Sequence, residues 1–374
     1  MIRFPFFKIG IKSCLGIDIG TSGIKIVQLS LKRERITLEK YGEVTAQFFY
    51  EKPFRTFEKS TLLLSDKDIA QAILAIRQES KISEKKVIFS IPDFASFFTT
   101  IDLPPMTREE IPQAVRFEAR HYVPLPLAEV ILDWSIIEGK LSNRERIPLK
   151  ILLVAVPNDV INQYRRIVIL SNLELGGLEV EVFGLVRSLI KDDKRAIALL
   201  DIGAQSTTVN IIDEGILKLS HSFDIAGNEL TQVLAKALSI DYPEAEELKK
   251  NHGLKSLIFD ISNEKQDQEE PPLITKKVGD ILKPIIDLIL METKRISQSF
   301  YQSKGKKVQK VIMAGGSALL PGLREYFSKT FKKEVEIANP FSDILYPPIL
   351  EEELKKMGPS YVIAVGMALR GLEK

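Results

Sequence analysis

The tripeptide Asp-Ile-Gly occurs twice, at 18–20 and 201–203, within GIDIGTSG and DIGAQSTT. Each copy closes an apolar run and opens a small polar turn. One copy would say little, because Asp and Gly are ordinary turn residues. Two copies in matching settings point to an internal duplication, and 374 residues exceed what one hydrophobic core usually supports. Around the first copy, CLGIDIG and IKIVQLS flank a Thr-Ser-Gly turn, and ITLEKYGEVT supplies a third strand. Around the second, AIALLDIG and TTVNIID form the hairpin and ILKLSHSFDIA the third strand. Both halves thus open on a β-meander and continue as mixed α/β, with the boundary near 185–195. Antiparallel hairpins make the sheets mixed, not purely parallel.

Spacing and capping patterns predict the helices. Ile69, Ile73 and Ile76 share one face of a helix at 66–79, capped by Ser65 or Asp66. Thr107 and Glu110 form a capping-box pattern for a helix to Tyr122, with Pro112 close to its interior. Asn158 or Asp159 caps a helix carrying Ile161, Tyr164 and Ile167. Further helices are expected after Gly227, in PEAEELKKNH, from about Val278 to Gln302, and in SYVIAVGMALRGL, where Ala364, Gly366 and Ala368 permit close packing. VIFSIP, FFTTIDLP, VILDWSII and KILLVAVP read as strands, and KVIMAGGSALLPGLREYF as strand, glycine turn and helix. Residues 260–277 are polar and proline-interrupted, the pattern of a surface loop.

Composition narrows the function classes. A formal net charge of +2 gives no support for a nucleic-acid surface. The lone Cys14 excludes an internal disulfide and fits a reducing compartment. His121, His221 and His252 lack ligand spacing. The opening MIRFPFFKIGIKS is too short an apolar stretch for a signal peptide, and its role is unassigned. No apolar run approaches the roughly 18 residues that cross a bilayer. The expectation is a cytoplasmic protein that reaches a membrane only through a partner.

A strand ending in Asp-x-Gly sets a carboxylate and turn N–H groups at one sheet edge. Such N–H groups bind anions, and glycine lets backbone approach a phosphate. Thr21 and Ser22, or Ser206 and Thr207, add hydroxyls. Two such hairpins could close on a polyphosphate from opposite sides, with Asp18 and Asp201 holding a hydrated Mg2+ against it. Lys25 either reaches a phosphate or faces solvent. Gly315 and Gly316 follow a third buried strand, where backbone could lie against an adenine or ribose. Singly, each of these is also what a plain solvated hairpin carries; together they favour the polyphosphate reading.

The order Asp18-Ile-Gly20, Asp201-Ile-Gly203, Ala314-Gly315-Gly316 resembles the actin, sugar kinase and heat-shock chaperone ATPase fold, whose two phosphate motifs and adenosine motif these match. The resemblance implies duplicated actin-like (ribonuclease H-like) α/β domains with mixed sheets. Glu181, in EVEVFGLVRSL, matches the connecting-helix glutamate of the chaperone branch. AEELK at 245–249 resembles the adenosine-contacting Ala-Glu-x-x-Lys of bacterial actin relatives, which nominates Glu246 and Lys249. The implied ATP site comprises Asp18, Gly20, Thr21, Ser22, Lys25, Gly203, Ala204, Gln205, Ser206, Thr207, Gly227, Glu246, Lys249, Gly315, Gly316 and Ser317. Asp18 and Asp201 are its Mg2+ ligands, and Asp201 and Glu181 its catalytic candidates. One departure is LELGGLEVEVFGL, shorter than the family's usual strand before the connecting helix.

The stretch FFTTIDLPPMTREEIPQAVRFEARHYVPLPLAEVILDW resembles PilM-type type IV pilus assembly proteins, relatives of FtsA. It implies a small inserted α+β subdomain at about 85–158 in a first lobe of residues 1–190. The second lobe would span 191–374, with a peripheral subdomain at about 228–305. The family implies a cytoplasmic ATP-binding protein recruited to the inner membrane by the N-terminal tail of a PilN-like bitopic protein. It implies no nucleic acid and no direct membrane insertion, and leaves self-association open. Phe94, Phe97, Phe98, Leu103 and Met106 are candidates for the partner groove and equally for the subdomain's own core. Two rivals stand beside this reading. One is a small-molecule kinase of the same superfold with Asp201 as base. The other is an FtsA-like filament protein, although the sequence stops at ALRGLEK where those carry a membrane helix. Nucleotide binding with at most weak hydrolysis is the expectation.

Overall fold

A computed structural model of the chain describes residues 12–46, 54–55, 62–139, 148–259 and 271–373. The opening MIRFPFFKIG and the loop residues 260–270 lie outside the described residues. The first meander is β1 (Lys12–Ile19), β2 (Gly23–Lys32) and β3 (Arg35–Thr45). Then come α1 (Asp66–Glu79), β4 (Lys86–Ile91), β5 (Phe97–Leu103), α2 (Ile111–Tyr122), β6 (Val130–Glu138) and β7 (Leu149–Pro157). The first half closes with α3 (Asn158–Leu170), β8 (Glu174–Val180) and α4 (Glu181–Leu189). The second meander is β9 (Ile197–Ile202), β10 (Thr207–Asp213) and β11 (Ile216–Phe223). It is followed by α5 (Gly227–Leu238), α6 (Tyr242–His252), α7 (Lys255–Phe259), α8 (Leu273–Lys304), β12 (Lys310–Ala314), α9 (Leu323–Phe331), β13 (Glu334–Ile337) and α10 (Glu351–Leu372).

The two five-stranded sheets repeat one plan. Their orders are β3-β2-β1-β4-β8 and β11-β10-β9-β12-β13, each an antiparallel meander extended by parallel strands. β4 and β12 both run into a single 3₁₀ turn, at Asp93–Ala95 and Gly316–Leu319. β4 pairs with β1 and β8, so the small sheet β5-β7-β6 begins only at Phe97. That sheet packs under α2 through Ile101, Leu103, Ile111, Val115, Ile151 and Leu153.

Strand period two divides the burial. On β1, Leu15, Ile17 and Ile19 meet α1 and α3 through Ile69, Ile73, Ile161, Tyr164 and Ile167. The opposite face, with Cys14, joins Ile197 and Leu199 of β9 in one core that encloses α4 and α10 between the sheets. Asp18 and Asp201 fall on this shared inner face, at the C-terminal ends of β1 and β9.

Small residues make that layer thin. A Cβ on Gly16 would lie 1.9 Å from Ala364 O, and one on Gly366 would lie 2.1 Å from Gly184 O. α4 and α10 therefore cross backbone to backbone. Ser188 Oγ donates to Val362 O across the same crossing, at 3.2 Å. The edge of β3 is also taken up: Leu38 N–H donates to Leu345 O, and Leu345 N–H to Ile36 O, both at 2.9 Å.

Several boundaries differ from expectation for local reasons. Ser65 is the cap of α1, accepting from Asp68 N. Thr107 N–H donates to Glu110 Oε2 at 2.7 Å, but α2 starts at Ile111, so Pro112 sits in the first turn where its missing N–H costs nothing. Asn158 does not cap α3; it is the first helical residue, and its amide donates to Ala128 O at 2.9 Å. α8 begins at Leu273, before Val278, directly after Pro272. α10 begins at Glu351, and three glutamates in its first turn complement the helix dipole. Among the described residues no helix is long and apolar enough to cross a membrane.

Candidate functional site

The two Asp-Ile-Gly turns close identically. Gly20 N–H donates to Gly23 O at 2.8 Å, and Gly203 N–H to Ser206 O at 2.9 Å. The carbonyls of Thr21 and Ser22 accept from Phe54 N and Ala46 N, which fixes the first turn to its own lobe. Asp18 is 4 % exposed and accepts from Ser90 Oγ at 2.7 Å. Asp201 is half-buried. Lys25, opposite Asp18 in the β1–β2 register, is half-buried rather than solvated, and its charge acts to lower the pKa of Asp201.

The second turn lies in a cradle of backbone. Gly227 N–H donates to Gly203 O at 3.1 Å, Asn228 N–H to Ala204 O at 2.7 Å, and Ser317 Oγ to Gly203 O at 3.0 Å. A Cβ on Gly227 would meet Ser317 Oγ at 2.5 Å. Gly315 has φ +86°, and a Cβ there would sit 2.6 Å from Asp201 Oδ1. Gly316 faces open space. Lys249 Nζ reaches Gly227 O at 3.0 Å, Thr231 Oγ1 at 2.7 Å and Glu246 Oε2 at 2.6 Å. Thus Gly203, Ala204, Gly227, Glu246, Lys249, Gly315 and Ser317 are brought together. Thr207 is turned away, donating to Ile225 O at 2.6 Å. Gln205 and Thr21 are half-buried and Ser22 is exposed at the turn tips.

Glu181 opens α4 and is 8 % exposed. It accepts from Arg55 Nη2 at 2.7 Å and from Asp93 N at 3.4 Å, while Asp93 Oδ1 accepts from Val182 N at 3.1 Å. Arg55 also faces Asp18 at 3.9 Å. Burial pushes the Asp93 and Glu181 carboxyls up. Arg55 is held firmly protonated, because Glu181 and Asp18 outweigh the cost of its burial. Burial, then the charges of Glu181 and Asp18, pushes Asp201 up to about 7.

Arg55, Asp93 and Ser90 were not found from the sequence. Arg55 sits in a stretch without periodicity, and Asp93 follows an apolar strand as any turn residue would.

The raised Asp201 has a stability consequence. The folded state keeps a proton that the unfolded chain releases near pH 4. The stabilising contribution is therefore complete at low pH and is lost as pH rises through about 7. Urea titrations should show Asp201→Asn gaining on the wild type from about pH 4 upward. The gap should stop widening above pH 7; a gap independent of pH would contradict the shift.

The apolar candidates of the inserted layer separate. Leu103 is 2 % exposed and belongs to the small sheet's core. Phe97 packs half-buried on the same core, Phe98 on the core between the lobes, and Phe94 beside the α1/α3 core with its ring under Arg55. Met106 lines an open cleft of about 710 Å³ with Phe117, Arg116 and Arg120. Phe117, which sequence reasoning passed over, is the exposed aromatic there, at 59 %.

Comparison with known proteins fits this geometry. The solved PilM-PilN type IV pilus biogenesis complex contains a chain with TM-score 0.80 and 22% identity, the alignment covering 96% of this chain and 99% of that one. MreB5 of Spiroplasma citri bound to ADP matches with TM-score 0.52 and 12% identity over 96% of this chain and 95% of that one. The cell division protein FtsA of Bacillus subtilis (strain 168) is 24% identical over 87% of this chain and 78% of its own length. FtsA of Streptococcus pneumoniae serotype 2 is 22% identical over 87% and 75%. The fold is the duplicated actin-like α/β fold. The profile of the type IV pilus assembly protein PilM matches residues 16–372, and the chain belongs to that family.

Proposed function

We propose that the cleft between the lobes binds Mg2+-nucleotide, ATP or ADP. In this reading the nucleotide sets the lobe angle in a platform that holds the cytoplasmic N-terminal tail of a PilN-like inner-membrane protein. The observation that carries the first part is the pair of identically closed Asp-x-Gly turns, one per lobe, on one inner face. The glycine turn after β12 supports it too, since open space lies beside Gly316 next to the second Asp-x-Gly turn. MreB5 structures solved with ADP and with AMPPNP share the fold. The partner reading rests on family membership and on the likeness to the PilM-PilN complex.

The donor set suits Mg2+ only together with phosphate. Among the described residues no three His, Cys, Asp or Glu side chains converge to hold an ion unaided. Mg2+ usually takes one or two carboxylates plus phosphate oxygens and waters, which Asp18 and Asp201 match. Once bound, the ion neutralises phosphate charge. The turn N–H groups of the two hairpins hold phosphate oxygens, and Gly315 and Gly316 offer backbone to the adenosine. Glu181 would orient a water, but it is already engaged by Arg55 at 2.7 Å, which makes it a poor base and hydrolysis slow.

Phosphate release from excess Mg-ATP tests this over hours. Release should stop at about one phosphate per protein or stay near background. Calorimetry should show Asp18→Asn weakening Mg-ATP binding about tenfold or more, the loss of one charged contact. Wild type that binds no nucleotide would overturn the reading, and sustained turnover would make the protein an ATPase. Binding of a PilN-like tail peptide with and without nucleotide tests the second part; an affinity indifferent to nucleotide removes the link between lobe angle and partner.

A further inference from the structure

The two lobes carry one strand in two versions. β4 opens Lys86-Val87-Ile88-Phe89-Ser90, and β12 reads Lys310-Val311-Ile312-Met313-Ala314. Each pairs in parallel with the strand that bears its lobe's aspartate. Ala314 lies opposite Asp201 in the β9–β12 register. In the β1–β4 register Ile17 lies opposite Phe89, which sets Ser90 beside Asp18. From Val87 to Ile91 every residue of β4 is buried, and Ser90, at 0 % exposure, is the one polar residue among them. Alanine fills the same place in the second lobe, so packing alone does not require a hydroxyl there. A buried hydroxyl needs a partner. Ser90 Oγ has one: it donates to Asp18 Oδ1 at 2.7 Å.

The choice of oxygen matters. Arg55 Nη2 faces the same Oδ1 from 3.9 Å, beyond hydrogen-bond distance, and is engaged instead by Glu181 Oε1 at 2.7 Å. Oδ2 lies toward the first turn, 3.9 Å from where a Cβ on Gly20 would sit. Asp18 therefore gives one oxygen to the serine and turns the other toward the hairpin that would hold phosphate. Without Ser90, the nearest attraction for this carboxylate is the buried guanidinium. Rotation to meet it would draw Oδ2 away from the turn.

Resting on the nucleotide reading above, we propose that Ser90 is a positioning residue of the Mg2+-nucleotide site, pinning Oδ1 of Asp18 so that Oδ2 is presented to the ion. Partners that hold a ligating group from behind commonly control metal affinity. Ala314 offers Asp201 no such donor, which leaves the pinned carboxylate of the pair in the first lobe.

Calorimetry on the full chain tests this with ADP as the probe, titrated once in Mg2+ and once in EDTA. The readout is the ratio of the two affinities. Ser90→Ala should reduce that ratio about tenfold and leave the affinity in EDTA within about twofold of wild type. Ser90→Thr keeps the hydroxyl and should restore most of the ratio. A buried substitution can cost folding itself, so Ser90→Cys, close to serine in shape but a weak donor, is the companion variant. It should show the same selective loss with cooperative thermal unfolding retained. An unchanged ratio, or an equal loss with and without Mg2+, would mean that the hydrogen bond only supports the strand, and the proposal falls. Wild type that binds ADP but ignores Mg2+ removes the ion, and Ser90's role with it. Wild type that binds no ADP overturns the nucleotide reading itself.

Discussion

Replacing Gly366 by valine should leave little folded protein. A Cβ at this position would lie 2.1 Å from Gly184 O and 2.5 Å from Gly184 Cα. Both are backbone atoms in helices, so neither can swing aside as a side chain would. Relief requires α4 and α10 to separate. Separation would open the core between the sheets, which includes Val182, Leu185, Val362 and Val365. Ordinary overpacking costs about 1–3 kcal/mol, and a β-branched side chain driven into backbone should exceed that. Set against a typical total stability of about 5–15 kcal/mol, this is a large fraction. Gly316→Ala is the control, since nothing lies within 4 Å of a Cβ there. Urea denaturation should show Gly366→Val shifted far below wild type or absent from the soluble fraction, with Gly316→Ala unchanged. An unshifted midpoint for Gly366→Val would contradict the crossing.

Lys249→Met should be nearly as damaging, for an electrostatic reason. Lys249 is buried, and its ammonium spends its donors on Gly227 O, Thr231 Oγ1 and Glu246 Oε2. Thr231 Oγ1 also donates to Glu246 Oε2, at 2.5 Å. Burial alone lowers the Lys249 pKa; the Glu246 carboxylate opposes this, and Glu246 is itself held below the usual carboxylate range despite its burial. Deleting the cation leaves a mostly buried carboxylate with only Thr231 Oγ1 and the exposed Lys250 beside it. Removing one partner of a buried pair costs about 3–5 kcal/mol, and some exposure of Glu246 brings the expectation here to about 3 kcal/mol. Lys249→Met with Glu246→Met should regain most of that stability, because apolar replacement of both partners is often neutral. Nucleotide affinity should not return with it, since Gly227 O would have lost the ammonium that fixes the start of α5. A double variant that binds like wild type would remove Lys249 from the site.

What the sequence disclosed and what it hid follow a physical division. Periodicity and duplicated turns are local, so the two meanders, the α1 face and the strand–glycine–helix of the second lobe were legible from single stretches. The likeness of GIDIGTSG to DIGAQSTT sufficed to place two carboxylates on equivalent strands. Hidden features depended on contacts far along the chain. β13 is four residues long and half-buried in alternation, too little signal without its partner β12. The N-terminal half of α10 passes through Pro359, whose carbonyl accepts from Gly315 N at 2.8 Å, a fact no window around Pro359 contains. Arg55 became visible only through Glu181, which lies 126 residues further on. The apolar residues Phe97, Phe98 and Leu103 alternate along one strand, but pattern alone did not reveal which side held the small core and which the core between the lobes.

The placement of α10 bears on how the protein is made. Its last turns lie on the first strand: Ala364 and Ala368 against Gly16, and Gly371 against Cys14. During synthesis β1 leaves the ribosome well before its sealing helix, which follows every strand of the second sheet. Domains generally fold as units while they are translated, N-terminal part first. Here the first lobe is barred from finishing that way, and its inner apolar face stays wet until the second lobe is nearly complete. The two lobes must therefore mature together. A nascent chain stalled before α10 would present Cys14, Val27 and Leu29 as a sticky surface, the kind of surface that chaperones cover.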